Sequence, residues 1–178
     1  MRPAVFLDRD NPLIDNGGDL ADPSLVRLLP GALDACVRLA GAGFTLVVVS
    51  NQGVVARGGG TLRGVEATND RVRALLTPPG SRSPLVGAFY FCPFHPQGTV
   101  ERFKAEHPWR KPAPGMILAA ADELGLDLPR SWLVGDAERD ILAATAAGIP
   151  PPHALLVGPD RSLAGLAAAA DRILEPAP

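Results

Sequence analysis

Two aspartates separated by one residue, Asp8 and Asp10, follow directly on the apolar run Ala4-Val5-Phe6-Leu7. A run this short, bounded by polar residues, reads as a buried strand rather than a helix. Its carboxyl end is then the kind of place where open α/β sheets bind ligands. Carboxylates held there can serve as a nucleophile and as a general acid–base. Comparable polar groups stand at the ends of two later apolar runs. Ser50-Asn51-Gln52-Gly53 closes residues 44–49, and Gly135-Asp136 closes residues 131–134, with Asp140 one helical turn further on. Lys111 lies in a polar loop before the last of these runs. Asp8, Asp10 and Asp136, with Asp140 nearby, repel one another unless a cation sits among them. Hard oxygen donors suit Mg²⁺, which keeps several waters and binds phosphate substrates readily. Ser50 and the N–H groups after it are placed to hold phosphate oxygens, and Lys111 to neutralise phosphoryl charge.

These groups need a scaffold that gathers strand ends at one rim. Leu33, Cys36, Val37 and Ala40 recur at helical spacing, and Gly41 and Gly43 end that helix. Thr61 or Thr68 starts helical segments reaching Leu76, residues 85–91 form a third apolar run, and residues 116–124 read as a helix closed by Gly125. A helix over residues 140–147 is capped by Gly148. Residues 154–157 and 172–174 read as short final strands around an Ala-rich helix. Alternating strand and helix predict a parallel sheet with helices on both faces. Cys36 on an apolar helical face and Trp132 in a buried strand are expected to pack. His153, between prolines and a short strand, is expected at the surface, and Arg57 among its glycines at the site's rim.

The 178 residues suit one domain spanning 1–178, and 47% hydrophobic residues suffice for a core. A net charge of -2 gives no electrostatic case for nucleic acid or an anionic membrane. No apolar run is long enough to span a bilayer, and the first residues lack a signal-peptide pattern. The 2 cysteines, Cys36 and Cys92, make no disulfide framework, so a cytoplasmic protein is expected, and its size suits a monomer. No G-x-G-x-x-G follows the first strand, which argues against a dinucleotide-binding oxidoreductase.

Asp8-Arg9-Asp10, Ser50-Asn51-Gln52, Arg110-Lys111-Pro112 and Gly135-Asp136-x-x-x-Asp140 resemble, in order and spacing, the four motifs of the haloacid dehalogenase-like (HAD) phosphohydrolases. Phe6-Leu7-Asp8-Arg9-Asp10, Ala56-Arg57-Gly58 after Asn51-Gln52, Tyr90-Phe91-Cys92-Pro93 with His95-Pro96-Gln97-Gly98, and Arg110-Lys111-Pro112-x-Pro114-Gly115-Met116 further resemble the D-glycero-D-manno-heptose 1,7-bisphosphate phosphatases. The related histidinol-phosphate phosphatases share much of this pattern. The resemblance implies a Rossmann-like, three-layer HAD fold with a central, mostly parallel sheet and a minimal cap or none. It implies a Mg²⁺-dependent phosphomonoester hydrolase acting through an aspartyl-phosphate on a small phosphorylated sugar, a sugar bisphosphate such as a heptose 1,7-bisphosphate. Asp8 is then the nucleophile and Asp10 the acid–base. Ser50 and Lys111 stabilise the phosphoryl group; Asn51, Gln52, Gly53 and Arg110 bind substrate. Asp8, the Asp10 backbone carbonyl and Asp136 hold the metal, with Asp140 in support. Histidinol phosphate, or another small phosphomonoester, is the alternative substrate. A fold member that binds phosphorylated ligands without turnover is the alternative of another class.

The chain departs from that pattern in places. Relatives often carry a zinc-stabilised loop, Cys-x-His followed by Cys-x-Cys. The matching positions here are Cys92, Phe94, His107 and Trp109, with His95 nearby. A closed structural zinc site takes four N/S ligands, so this set argues for aromatic packing in place of zinc. The usual Gly after the second Asp is Asn11, followed by Pro12. Asn tolerates positive φ better than most residues, while Pro12 pushes it out of the α region, which predicts a displaced loop beside Asp10. Gly53-Val54 stands where Ser-Gly is usual, and Ala137 where some relatives have Lys. The segment Asn16-Gly17-Gly18-Asp19 lies where relatives touch substrate but lacks their aromatic residue.

Overall fold

The computed structural model describes residues 1–16 and 20–176; Gly17, Gly18 and Asp19 of the proposed substrate-contacting segment lie outside the described residues. The elements run β1 (Ala4–Leu7), α1 (Ala32–Gly41), β2 (Thr45–Asn51), α2 (Leu62–Leu75), β3 (Val86–Cys92), α3 (Gly115–Leu124), β4 (Trp132–Gly135), α4 (Glu138–Ala146), β5 (Ala154–Leu156) and α5 (Leu166–Leu174). The five strands form one parallel sheet in the order β3-β2-β1-β4-β5. This is the expected α/β architecture, and no inserted domain follows β1 or β2 among the described residues.

Side-chain alternation divides the core into two layers. Val5, Leu7, Leu46, Val48 and Val134 face α1 and α5 and the end of α2. Ala4, Phe6, Val47, Val49 and Leu133 face α3 and α4, which bring Met116, Ile117, Ala120, Ala143 and Ala144. With both faces covered, the strands are apolar runs rather than alternating ones. Cys36 is fully buried in the first layer.

Local chemistry sets several boundaries. The Thr61 hydroxyl caps α2 by accepting from Gly64 N at 3.0 Å, so Thr61 and not Thr68 starts it. Gly125 ends α3 with φ of 63°, a conformation only glycine takes freely. Residues 172–174, expected as a strand, are the last turn of α5. Leu166, Ala169, Ala170 and Ile173 are buried at helical spacing, and that periodicity overrides the β-branched Ile173. His153, expected at the surface, instead stacks on Trp132 at 4.0 Å between ring centroids. Its ring shields the apolar indole at the start of β4.

Candidate active site

The chain fills one side of β1 with β2 and β3, then crosses to place β4 on the other side. Asp8 and Asp136 therefore meet at the topological switch point, where a crevice opens at strand carboxyl ends. The backbone joins them closely, for Asp8 N donates to Val134 O at 2.9 Å.

Lys111 lies at the centre of the buried charges. Its ammonium stands 3.0 Å from Asp8 Oδ2 and 2.7 Å from Asp140 Oδ1, and it donates to Val49 O at 2.9 Å. All three side chains are nearly inaccessible. Burial by itself favours a neutral amine, but the two carboxylates outweigh it and raise the Lys111 pKa, so Lys111 stays charged. Asp8 is pushed up to about 6 by burial, against the pull of Lys111, and Asp140 and Asp10 add to the rise. Asp140 also caps α4, for its Oδ2 accepts from Ala137 N at 3.0 Å. A Cβ on Gly135 would lie 2.4 Å from Asp140 Cβ, so only glycine lets β4 pass this carboxylate. Asn51 clamps the Lys111 backbone, donating to its carbonyl and accepting from its N–H, both at 2.9 Å.

A second network holds Asp10. Arg9, the spacer of the Asp-x-Asp motif, is fully buried. Its guanidinium donates to Asp10 Oδ1 at 3.1 Å, Asn69 Oδ1 at 3.0 Å and Gln52 Oε1 at 2.9 Å. Gln52 Nε2 in turn donates to Asp10 Oδ2 at 2.7 Å and Ser50 Oγ at 2.8 Å. Sequence reasoning missed Arg9 and Asn69. The available signal for Arg9 was its parity: in a strand continuing past Leu7 it faces away from Asp8 and Asp10, towards the interior.

Asn11 has φ of 74°, the one positive value at a non-glycine among the described residues. Pro12 does exclude the right-handed α region, but Asn11 takes the left-handed side rather than swinging the loop away. The turn is closed by Asn11 N donating to Ile14 O at 2.9 Å, and Asp10 keeps its network.

Asp8, Asp136 and Asp140 each bring a carboxylate oxygen within 4.8 Å of the others. Asp136 Oδ1 is buried and has no hydrogen-bond partner. Hard oxygens of Asp8 and Asp136, one of them an orphaned lone-pair atom, fit a divalent cation, while the Asp140 oxygens are engaged by Lys111 and Ala137 N. The Asp10 carboxylate, by contrast, is taken by Arg9 and Gln52.

Beside these groups lies a cleft of 280 Å³ lined by Asp10, Asn51, Gln52, Arg57, Arg110 and Arg139. The three arginines come from separate segments. Burial holds the Arg110 guanidinium below its ordinary value, and Arg139 and Arg57 push the same way. Arg110 is steered by Phe94 O, to which it donates at 3.2 Å. Gly53 makes room for Arg57, whose Nη1 would lie 2.9 Å from a Cβ there. Phe94 stacks on His107 at 4.4 Å and meets Phe103 edge-on, while Trp109 meets Tyr90 edge-on. His107 Nδ1 and His95 Nδ1 each accept a backbone N–H, from Trp109 and Gln97. The loop bearing Arg110 is thus closed by rings and local turns.

A family model for HAD-hydrolase-like proteins matches residues 108–171. The D-glycero-beta-D-manno-heptose-1,7-bisphosphate 7-phosphatase of Escherichia coli (strain K12) is 39% identical over 83% of this chain and 75% of its own length. The protein of the same name from Rhodopseudomonas palustris is 37% identical over 84% of this chain and 81% of its own. Among solved structures, D,D-heptose 1,7-bisphosphate phosphatase from B. bronchiseptica, complexed with magnesium and phosphate, matches with a TM-score of 0.79 and 29% identity over 97% of this chain and 98% of that one. With its carboxylates and lysine gathered at the switch point, the chain belongs to the D-glycero-beta-D-manno-heptose-1,7-bisphosphate 7-phosphatase family and is a phosphatase of the HAD superfamily.

Proposed function

We propose that this phosphatase hydrolyses one phosphomonoester of a sugar bisphosphate, a heptose 1,7-bisphosphate or a close analogue, with Mg²⁺ as cofactor. The observation that carries the substrate class is the cleft of three arginines next to the buried Asp8–Lys111–Asp140 cluster. The scissile phosphate uses the cluster, leaving the guanidinium groups for a second, remote anionic group. The relatives' names and the phosphate-bearing neighbour agree with this reading.

Asp8 attacks phosphorus, the ester P–O bond breaks, and Asp10 gives a proton to the leaving alkoxide. Water then attacks the aspartyl-phosphate. Asp10 takes its proton, and inorganic phosphate leaves with Asp8 restored. Ser50 and Lys111 hold the phosphoryl oxygens. Asp8, the Asp10 carbonyl and Asp136 would hold Mg²⁺, which supplies a positive charge that screens the two anions from each other. Arg9 and Gln52 orient the acid–base, and Asn51 fixes the lysine's backbone, so these three act by positioning. Aromatic closure of the loop carrying Arg110 supports a hinge held by packing without zinc.

Phosphate release by the purified chain, with Mg²⁺ and with EDTA, tests the reading over sugar bisphosphates, matched monophosphates and histidinol phosphate. Mg²⁺-dependent release fastest on one bisphosphate is expected. Release fastest on histidinol phosphate would move the substrate class, and tight binding without release would make the chain a binder. Arg110→Ala should lower kcat/KM for the bisphosphate about tenfold more than for its monophosphate, the scale of one charged hydrogen bond. Equal losses on both would remove the remote-phosphate role.

The pH profile checks the nucleophile. Asp8 attacks only as the carboxylate, and its pKa is pushed up to about 6 by burial. At limiting Mg²⁺, kcat/KM should therefore fall as pH drops through about 6. Saturating Mg²⁺ favours the charged form and should move that limb to lower pH. A limb that ignores Mg²⁺ would assign it to another group.

A further inference from the structure

Asn11 holds an unusual place beside the carboxylates. A glycine would take its φ of 74° without cost, whereas asparagine takes it with some strain. What asparagine adds is a side-chain amide, and that amide donates to Asp136 Oδ2 in a short hydrogen bond. The contact lines a hollow of 660 Å³. The other oxygen, Asp136 Oδ1, is buried and has no hydrogen-bond partner. Arg139 Nη2 stands 3.8 Å from it, beyond hydrogen-bonding reach. The two oxygens of this carboxylate are thus made unequal, one tied to an amide and one left with free lone pairs.

We propose that Asn11 is a positioning residue that confines Asp136 to ligation through Oδ1 alone, and so favours Mg²⁺ over Ca²⁺ at this site. The inference rests on the reading of Asp136 as a metal ligand. The chemistry follows from the ions. Ca²⁺ accepts carboxylates through one or both oxygens in flexible, higher-coordinate shells, while Mg²⁺ demands near-octahedral geometry and few carboxylate oxygens. A carboxylate pinned by a neighbouring donor cannot swing to offer both oxygens. Partners of this kind commonly shift metal affinity by about 10- to 100-fold when removed.

The test uses the full chain, wild type and Asn11→Gly, titrated separately with MgCl₂ and CaCl₂ by calorimetry. Glycine keeps the turn, since φ of 74° is open to it. A melting curve in EDTA confirms that the variant is folded. The expected result is a ratio of Ca²⁺ to Mg²⁺ dissociation constants that falls about tenfold in Asn11→Gly. A ratio within about twofold of wild type, with both ions still binding, overturns the role of Asn11. Wild type and Asp136→Asn binding Mg²⁺ equally well overturns instead the assignment of Asp136 as a ligand, and the proposal with it.

Discussion

Asp8→Asn is expected to lower phosphate release on the order of 10⁴-fold or more, the scale on which loss of a hydrolase nucleophile acts. The fold should survive. Asparagine matches aspartate in size, and Lys111 keeps Asp140 and the Val49 carbonyl as partners. The charge at position 8 is itself costly, because burial pushes the Asp8 pKa up to about 6. A neutral side chain there should leave the metal-free protein at least as stable as wild type at pH 8. Steady-state release and thermal melts on the same preparation check both parts. Turnover within about a hundredfold of wild type by Asp8→Asn, free of wild-type contamination, would remove Asp8 as nucleophile.

Lys111→Met should be the most damaging change to stability. Methionine fills much of the volume of the lysine stem but leaves Asp8 and Asp140 buried with no cation between them. Removing one partner of a buried ion pair typically costs about 3–5 kcal/mol. For a chain of this size that is a fall in Tm of roughly 10 °C. The sign of its pH dependence follows from the carboxylates. Without the ammonium the Asp8 pKa, already raised by burial, rises further, so the folded state binds a proton that the unfolded state has released. The loss should then be larger at pH 8 than at pH 5. Lys111→Met/Asp140→Asn should recover part of it, since one orphaned charge is gone. Urea unfolding in EDTA at both pH values measures these terms. A double variant no more stable than Lys111→Met would show that Asp140 carries no charge that needs Lys111.

Much of this arrangement was legible one residue at a time. A strand can be buried on both faces only if it is an apolar run, and such a run must end where the chain meets solvent. Asp8, Ser50 and Asp136 announce themselves by standing at those ends, and parallel topology brings the ends to one rim. Lys111 was found through its motif, and the structure adds why it must be charged: two buried carboxylates flank it.

Other features depend on groups distant in sequence, and no local pattern carries them. Arg9 looks like a spacer until Asn69 on α2 and Gln52 after β2 are brought to its guanidinium. Asn51 and Gln52 line the cleft, and only the fold shows that their amides also engage Lys111 and Asp10. Arg139 gained a place in the cleft only because α4 starts beside Asp136 and points its first turn there. Residues 172–174 read as a strand from their composition, but their burial against α1 repeats every three to four residues. By itself the sequence determined which segments are buried and which polar groups end them, because burial and chain reversal act over a few residues. The tertiary structure alone decided which polar atoms those groups spend on one another, because in a buried site every donor and acceptor is assigned by neighbours that the chain brings together only on folding.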